Sequence, residues 1–229
     1  MIAIYADTAA PEEMAALARN PVVKGFTSNP TLVKKAGLKN YHQWIHHVCA
    51  GFPSYPISIE VVSDDFDDME RQALRLRECG DNVFVKIPVV NSKGESALPL
   101  VKRLASMGVP VNVTAVMSMA QIDAIRGSLT ETPAIVSVFA GRIADTGRNP
   151  AGTIKYALSR KLSVSHKVLW ASTRQVLDVY VADSLGCDII TCSPEIIGKL
   201  ALEGKNLEDF SRETAAMFLN DAMAAGLNF

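Results

Sequence analysis

Eight short runs rich in Val, Ile and Phe recur along the chain, each followed by a longer segment with amphipathic spacing. The runs are Ile2–Ala6, Val23–Phe26, Ile57–Val61, Val83–Ile87, Val109–Val113, Ala134–Phe139, Lys167–Trp170 and Asp188–Thr191. Each is nearly continuous in its apolar character rather than alternating, as expected of a parallel strand covered on both faces. The segments between them have helical grammar. Asp64–Asp65 can cap a helix in which Met69, Ala73 and Leu76 fall at i, i+4 and i+7, with Gly80 to stop it. Ser118 caps a segment that sets Ile122 and Ile125 on one face, and Asn149–Pro150 places proline in a first turn. Pro194 opens another helix, ending near Gly204.

Strands alternating with helices at roughly 25–30 residue intervals predict a parallel sheet, and eight strands suffice to close a barrel. The expected fold is α/β: a (β/α)8 TIM barrel forming one domain over residues 1–229, with an extra C-terminal helix from about Leu207 to Ala225. That helix has no strand after it and is expected to fold over an end of the barrel or onto a neighbour. A doubly wound open sheet is the alternative, but it usually has fewer strands and a Gly-rich first turn. Here the first strand runs into Asp7-Thr8, and neither G-x-G-x-x-G nor G-x-x-x-x-G-K-[ST] occurs.

The 229 residues suit a closed α/β barrel built as one unit, and 48% apolar residues can fill its core. A formal net charge of −1 gives no electrostatic ground for binding nucleic acid or an anionic membrane. No stretch approaches the ~18 apolar residues of a membrane span. The N-terminal MIAIYADTAAPEE lacks the basic region of a signal peptide. Cys49, Cys79, Cys187 and Cys192 form no C-x-x-C pair and read as core thiols in a reducing compartment. A soluble cytoplasmic protein is expected.

In a barrel the active site lies at the C-terminal ends of the strands. The polar residues there are Asp7, the Thr27-Ser28-Asn29-Pro30 segment, Glu60, Lys86, Asn112 with Thr114, Ser137 before Phe139 and Arg142, and Ser172 with Arg174. Lys86 lies in Val-Phe-Val-Lys-Ile-Pro-Val-Val, a poor place for a solvated lysine if both strand faces are covered. Loss of hydration favours the neutral amine, the form that attacks a ketone to give a carbinolamine and then an iminium. Glu60, expected one strand away, can relay protons through a water oriented by Thr114, and Asp7 can take a proton when a carbon–carbon bond breaks. A plain ion pair between Glu60 and Lys86 is the other reading of those two residues. Arg142, Ser172 and Arg174 suit a phosphate, with surface arginines as the alternative.

Seven segments, in order, resemble the transaldolase family. They are Ala6-Asp7-Thr8, Thr27-Ser28-Asn29-Pro30-Thr31, Glu60-Val61, Val85-Lys86-Ile87-Pro88, Asn112-Val113-Thr114-Ala115, Ser137-Val138-Phe139-Ala140-Gly141-Arg142-Ile143 and Ala171-Ser172-Thr173-Arg174. The likeness is to the small, single-barrel branch that also contains the fructose-6-phosphate aldolases. It implies that Lys86 is a Schiff-base lysine, that Asp7 is the acid/base of bond cleavage, and that Glu60 and Thr114 hold the catalytic water. It also implies that Thr27, Asn29, Asn112, Ser137 and Phe139 line the substrate and that Arg142, Ser172 and Arg174 bind its phosphate. The implied reaction moves a dihydroxyacetone unit from a ketose phosphate to an aldose phosphate, as in the pentose phosphate pathway. No metal or organic cofactor is implied, and the assembly is a homo-oligomer, a pentameric ring or a decamer.

Two positions bear on the branch. The fructose-6-phosphate aldolases typically have glutamine where this chain has Glu60 and tyrosine where it has Phe139. Phenylalanine cannot protonate an enamine, which favours transfer over release of free dihydroxyacetone. That release, and a catalytically silent barrel that binds sugar phosphate, are the competing functions. Trp170 stands where a small residue is more usual, either lining the mouth or packing outward. His42, His46 and His47 are read as a solvated helix face, since no H-E-x-x-H or nearby ligand accompanies them. The acidic run Asp64, Asp65, Asp67, Asp68 and Glu70 suits a helix start. Trp44 is expected at a helix–barrel or subunit contact.

Overall fold

The computed structural model describes residues 2–227. Its eight strands are β1 (Ala3–Asp7), β2 (Val23–Thr27), β3 (Ile57–Glu60), β4 (Val83–Pro88), β5 (Val111–Val116), β6 (Ala134–Val138), β7 (His166–Trp170) and β8 (Ile189–Cys192). Each pairs in parallel with its neighbour in sequence, and β8 closes on β1. The chain therefore forms the expected closed parallel barrel, with helices in the connections.

Local chemistry explains the connections. Asp65 accepts from Asp68 N–H to start the helix Phe66–Glu78, whose Met69, Ala73 and Leu76 are buried at the predicted spacing. Ser118 and Gln121 form a capping box at the head of Met119–Arg126, burying Ile122 and Ile125. Pro150 stands just ahead of the helix Ala151–Ser159. Pro194 opens Pro194–Lys199, which runs into a short 3-10 turn, Leu200–Leu202. The fifth strand starts later than its apolar run, at Val111, because Pro110 has no N–H to donate; its carbonyl still accepts from Val85 N. Asp188 lies outside β8, where its carboxylate accepts from Lys161 and from Val168 N–H.

Alternation along the strands decides what the barrel encloses. Tyr5, Ile135, Leu169, Ala171 and Ile189 form a buried cluster, against which Ala3, Phe84 and Phe139 pack. A Cβ on Gly25 would stand 2.7 Å from the Tyr5 ring, so glycine leaves room there for the aromatic floor. Two residues further along each strand, on the same face, come Asp7, Thr27, Lys86, Ser137 and Thr191. Trp170 has the opposite parity to Leu169 and Ala171; it is buried and packs outward.

The chain divides between Ile197 and Gly198 into two compact units. The second contains the helix Leu207–Ala224, capped by Asn206 and carrying no buried residue. Among the described residues no helix is long and apolar enough to cross a membrane. Cys49, Cys187 and Cys192 are buried, with burial pushing each thiol up to about 12. Cys79 corrects the uniform core reading: it is half-buried, with its thiol donating to Arg75 O.

Candidate active site

Register places the chemistry. Glu60 stands opposite Lys86 across β3 and β4, and Lys86 opposite Asn112 across β4 and β5. Asp7 stands opposite Thr27, and Thr27 opposite Ser58. Strand tips from around the barrel thus deliver polar groups to one enclosed layer above the Tyr5 floor.

Lys86 is 5% exposed and points inward. Its Nζ donates to Ser28 O at 2.7 Å and lies 3.1 Å from Glu60 Oε2. Glu60 is itself fixed from behind, because Tyr41 OH donates to its carbonyl at 2.7 Å. Asp7 Oδ1 accepts from Thr27 Oγ1 at 2.7 Å, and Thr27 Oγ1 is 2.5 Å from Thr191 Oγ1. Burial raises the Asp7 carboxyl above its ordinary range; the positive charge of Lys86 and the Thr27 hydrogen bond oppose that rise without cancelling it. The result is a carboxylate, an amine and a second carboxylate at separate stations of one layer.

A second network runs through Asn112. Its Nδ2 donates to Ser58 Oγ at 3.0 Å, and its Oδ1 accepts from Ser137 Oγ at 2.7 Å. The amide is therefore locked in one orientation. Thr114 Oγ1, by contrast, is buried with no hydrogen-bond partner among the described residues. Such a hydroxyl suits a group that orients water or substrate. The next residue, Ala115, has φ +59, and the pairing of β5 with β6 slips between Val113 and Val116. This local irregularity re-aims the strand beside Thr114.

The Asn29 side chain accepts from Leu32 N to cap the helix Pro30–Lys35, which leaves its Nδ2 hydrogens for other acceptors. Phe139 packs against the inner cluster. Beyond it the turns after β6 and β7 meet closely: a Cβ on Gly141 would lie 1.6 Å from Ser172 O. Ser172 has φ +63, an uncommon conformation for a serine. Arg142 and Arg174 are exposed. Arg174 is not free, since it forms a bidentate pair with Asp145.

Sequence reasoning missed several of these residues. Ser58 and Thr191 share their strand parity with Glu60 and with the inner floor, a signal that was there to be found. The sequence marks Ser28 only as part of a polar strand-end segment; its role through the main-chain oxygen is one that no side-chain pattern reveals. Asp145 lies in a loop and only its partner gives it meaning. Trp44 is buried; it donates to Ala9 O in the loop after β1 and stacks on Tyr41 of its own helix, Tyr41–Gly51. His42 and His46 are exposed with their Nε2 atoms 3.2 Å apart. Among the described residues no group of three or more His, Cys, Asp or Glu side chains is placed to hold a metal ion.

The model of the Transaldolase/Fructose-6-phosphate aldolase family matches residues 4–229. This chain belongs to that family. Among its transaldolase-family relatives, a probable transaldolase of Hyphomonas neptunium is 33% identical over 227 residues, covering 97% of this chain and 98% of the relative. A probable transaldolase of Dehalococcoides mccartyi is 32% identical over 196 residues, covering 85% and 88%. More distant solved barrels share the fold alone. A 3-hexulose-6-phosphate synthase superposes with TM-score 0.60 at 15% identity, covering 86% of this chain and 92% of that one. KGPDC from Streptococcus mutans gives TM-score 0.57 at 10% identity, covering 90% and 92%.

Proposed function

We propose that this member of the transaldolase/fructose-6-phosphate aldolase family is a transaldolase acting through a Schiff base on Lys86. The observation that carries the reading is the station of Lys86 Nζ inside the barrel, 3.1 Å from Glu60 Oε2 and within the electrostatic reach of Asp7. The amine attacks C2 of a ketose phosphate, and Glu60, with a water held by Thr114, returns and removes protons as the carbinolamine loses water. The C3–C4 bond then breaks, its electron pair moving toward the iminium to leave an enamine. Asp7 takes the proton of the C4 hydroxyl, and the aldose phosphate departs. An acceptor aldose phosphate is attacked by the enamine, Asp7 returns the proton to the new hydroxyl, and hydrolysis frees Lys86.

Asn29, Asn112, Ser137 and Thr27 contact substrate hydroxyls in this reading, and Arg142, Ser172 and Arg174 hold the phosphate. Phe139 offers no proton to the enamine, which therefore waits for an acceptor. No metal or organic cofactor takes part. Residues 1–229 act as one functional domain in the cytoplasm. The helix Leu207–Ala224, with Leu207, Phe218, Leu219 and Met223 exposed, supports a homo-oligomer, and the family resemblance suggests its pentameric or decameric form.

Borohydride reduction in the presence of fructose 6-phosphate tests the chemistry. A mass gain on Lys86, absent from Lys86→Met, is expected. No gain would leave a sugar-phosphate-binding barrel as the better description. Turnover of fructose 6-phosphate with and without erythrose 4-phosphate then separates transfer from aldol release: substantial turnover without acceptor would overturn the transferase reading.

A further inference from the structure

Asp145 directly follows the short helix Ala140–Ala144 that leaves β6. A helix C-terminus favours cations, so a carboxylate there is locally out of place. Its side chain is nonetheless fixed. Asp145 Oδ1 accepts from Arg174 Nε at 3.2 Å, and Oδ2 accepts from Arg174 Nη2 at 2.5 Å. The partners come from different strand ends, 29 positions apart, so the pair is not the local habit of one helix.

A guanidinium has two edges that can each hold an oxyanion. Asp145 occupies the Nε–Nη2 edge, leaving Nη1 and the outer hydrogen of Nη2 for a second acceptor. The main chain is tied down as well: Arg174 N–H donates to Asp178 Oδ2 at 2.8 Å, and Gln175 N–H donates to the same oxygen at 3.3 Å. Arg142 also acts on the Asp145 carboxylate. The Arg174 hydrogen bonds first, and then the charges of Arg174 and Arg142, hold that carboxyl below its usual range. The carboxylate thus pairs directly with Arg174 and feels the charge of Arg142; it lies four residues after Gly141, whose backbone closely approaches that of Ser172.

We infer that Asp145 is a positioning residue for phosphate recognition, holding one edge of Arg174 so that the other is set for a phosphate oxygen before substrate arrives. The inference rests on the reading of Arg174 as a phosphate ligand. A free arginine on an exposed turn would have to give up its rotamer freedom on binding; a clamped one has already done so. An asparagine in place of Asp145 would lack both the charge and the second acceptor.

The test compares wild type with Asp145→Asn, Asp145→Glu and Arg174→Ala in two measurements. One is the half-saturating concentration for borohydride trapping of Lys86, with fructose 6-phosphate and with dihydroxyacetone, which carries no phosphate. The other is calorimetric titration with inorganic phosphate, which does not depend on Lys86. Asp145→Asn is expected to weaken fructose 6-phosphate and phosphate binding by about fivefold, the upper end of what a half-exposed ion pair contributes. Dihydroxyacetone trapping should stay within about twofold, and Asp145→Glu should recover part of the loss. Unchanged phosphate affinity in Asp145→Asn overturns the inference. Tighter binding overturns it too, by making Asp145 a competitor for the arginines. Equal losses with both trapping ligands overturn it by giving Asp145 a role in the fold alone. If Arg174→Ala leaves both phosphate measures unchanged, the phosphate reading itself fails. If wild type is not trapped at all, the Schiff-base reading fails, and the phosphate titration still decides the role of Asp145.

Discussion

Asp7 carries a cost that its neighbours only partly offset. Burial raises its folded pKa above the unfolded value, so the folded state holds the proton more tightly. Between those two values stability falls as pH rises, and above the folded value the full penalty persists. Asp7→Asn should therefore melt higher than wild type at neutral pH, with the difference vanishing at strongly acidic pH; calorimetry across that range measures it. Activity should move the opposite way. If Asp7 must be ionised to accept the hydroxyl proton, turnover falls as pH drops through its raised value, and the acidic limb of the rate profile lies above the ordinary carboxylate range. A limb at the ordinary position would remove Asp7 from that role. Glu60→Gln should still bind substrate while turning over about 10²–10⁴-fold more slowly, as expected for loss of a proton relay. Equal rates would restore the plain ion pair with Lys86 as the better account of Glu60.

At the scale of elements, the turns after β6 and β7 are the tightest construction in the site. Gly141→Ala would push a methyl group into Ser172 O, so one turn must move. A loss of about 1–3 kcal/mol in urea denaturation is expected, together with weaker binding of phosphorylated substrate. Full stability in that variant would show that the contact is easily relaxed. These turns also mark where sequence reading reached its end. Continuous apolar runs located the eight strands, and the polar residues that interrupt or end them marked Asp7, Glu60 and Lys86 as strand-tip groups; which face each takes is shown by the closed barrel. The cap residues Asp65 and Ser118 were legible because their hydrogen bonds are local. Ser28 O, the left-handed Ala115 and Ser172, and the Asp145–Arg174 pair were not, since each depends on backbone paths or partners brought together only by closing the barrel.

For the whole molecule, the helix Leu207–Ala224 shows apolar side chains that an isolated soluble chain would be expected to cover. Sedimentation at micromolar concentration should reveal a pentamer or decamer, and a monomer would count against the proposed assembly. The inward rows of the barrel have a different consequence, for how such a chain can vary over generations. Inserting or deleting a single residue within β4 would turn Lys86 toward the helices and bring a greasy neighbour into its place. Changes of length should therefore accumulate in the connections and almost never within the strands. Exchanges of one inward side chain for another leave the scaffold's outer packing untouched, so new substrates can be tried one position at a time.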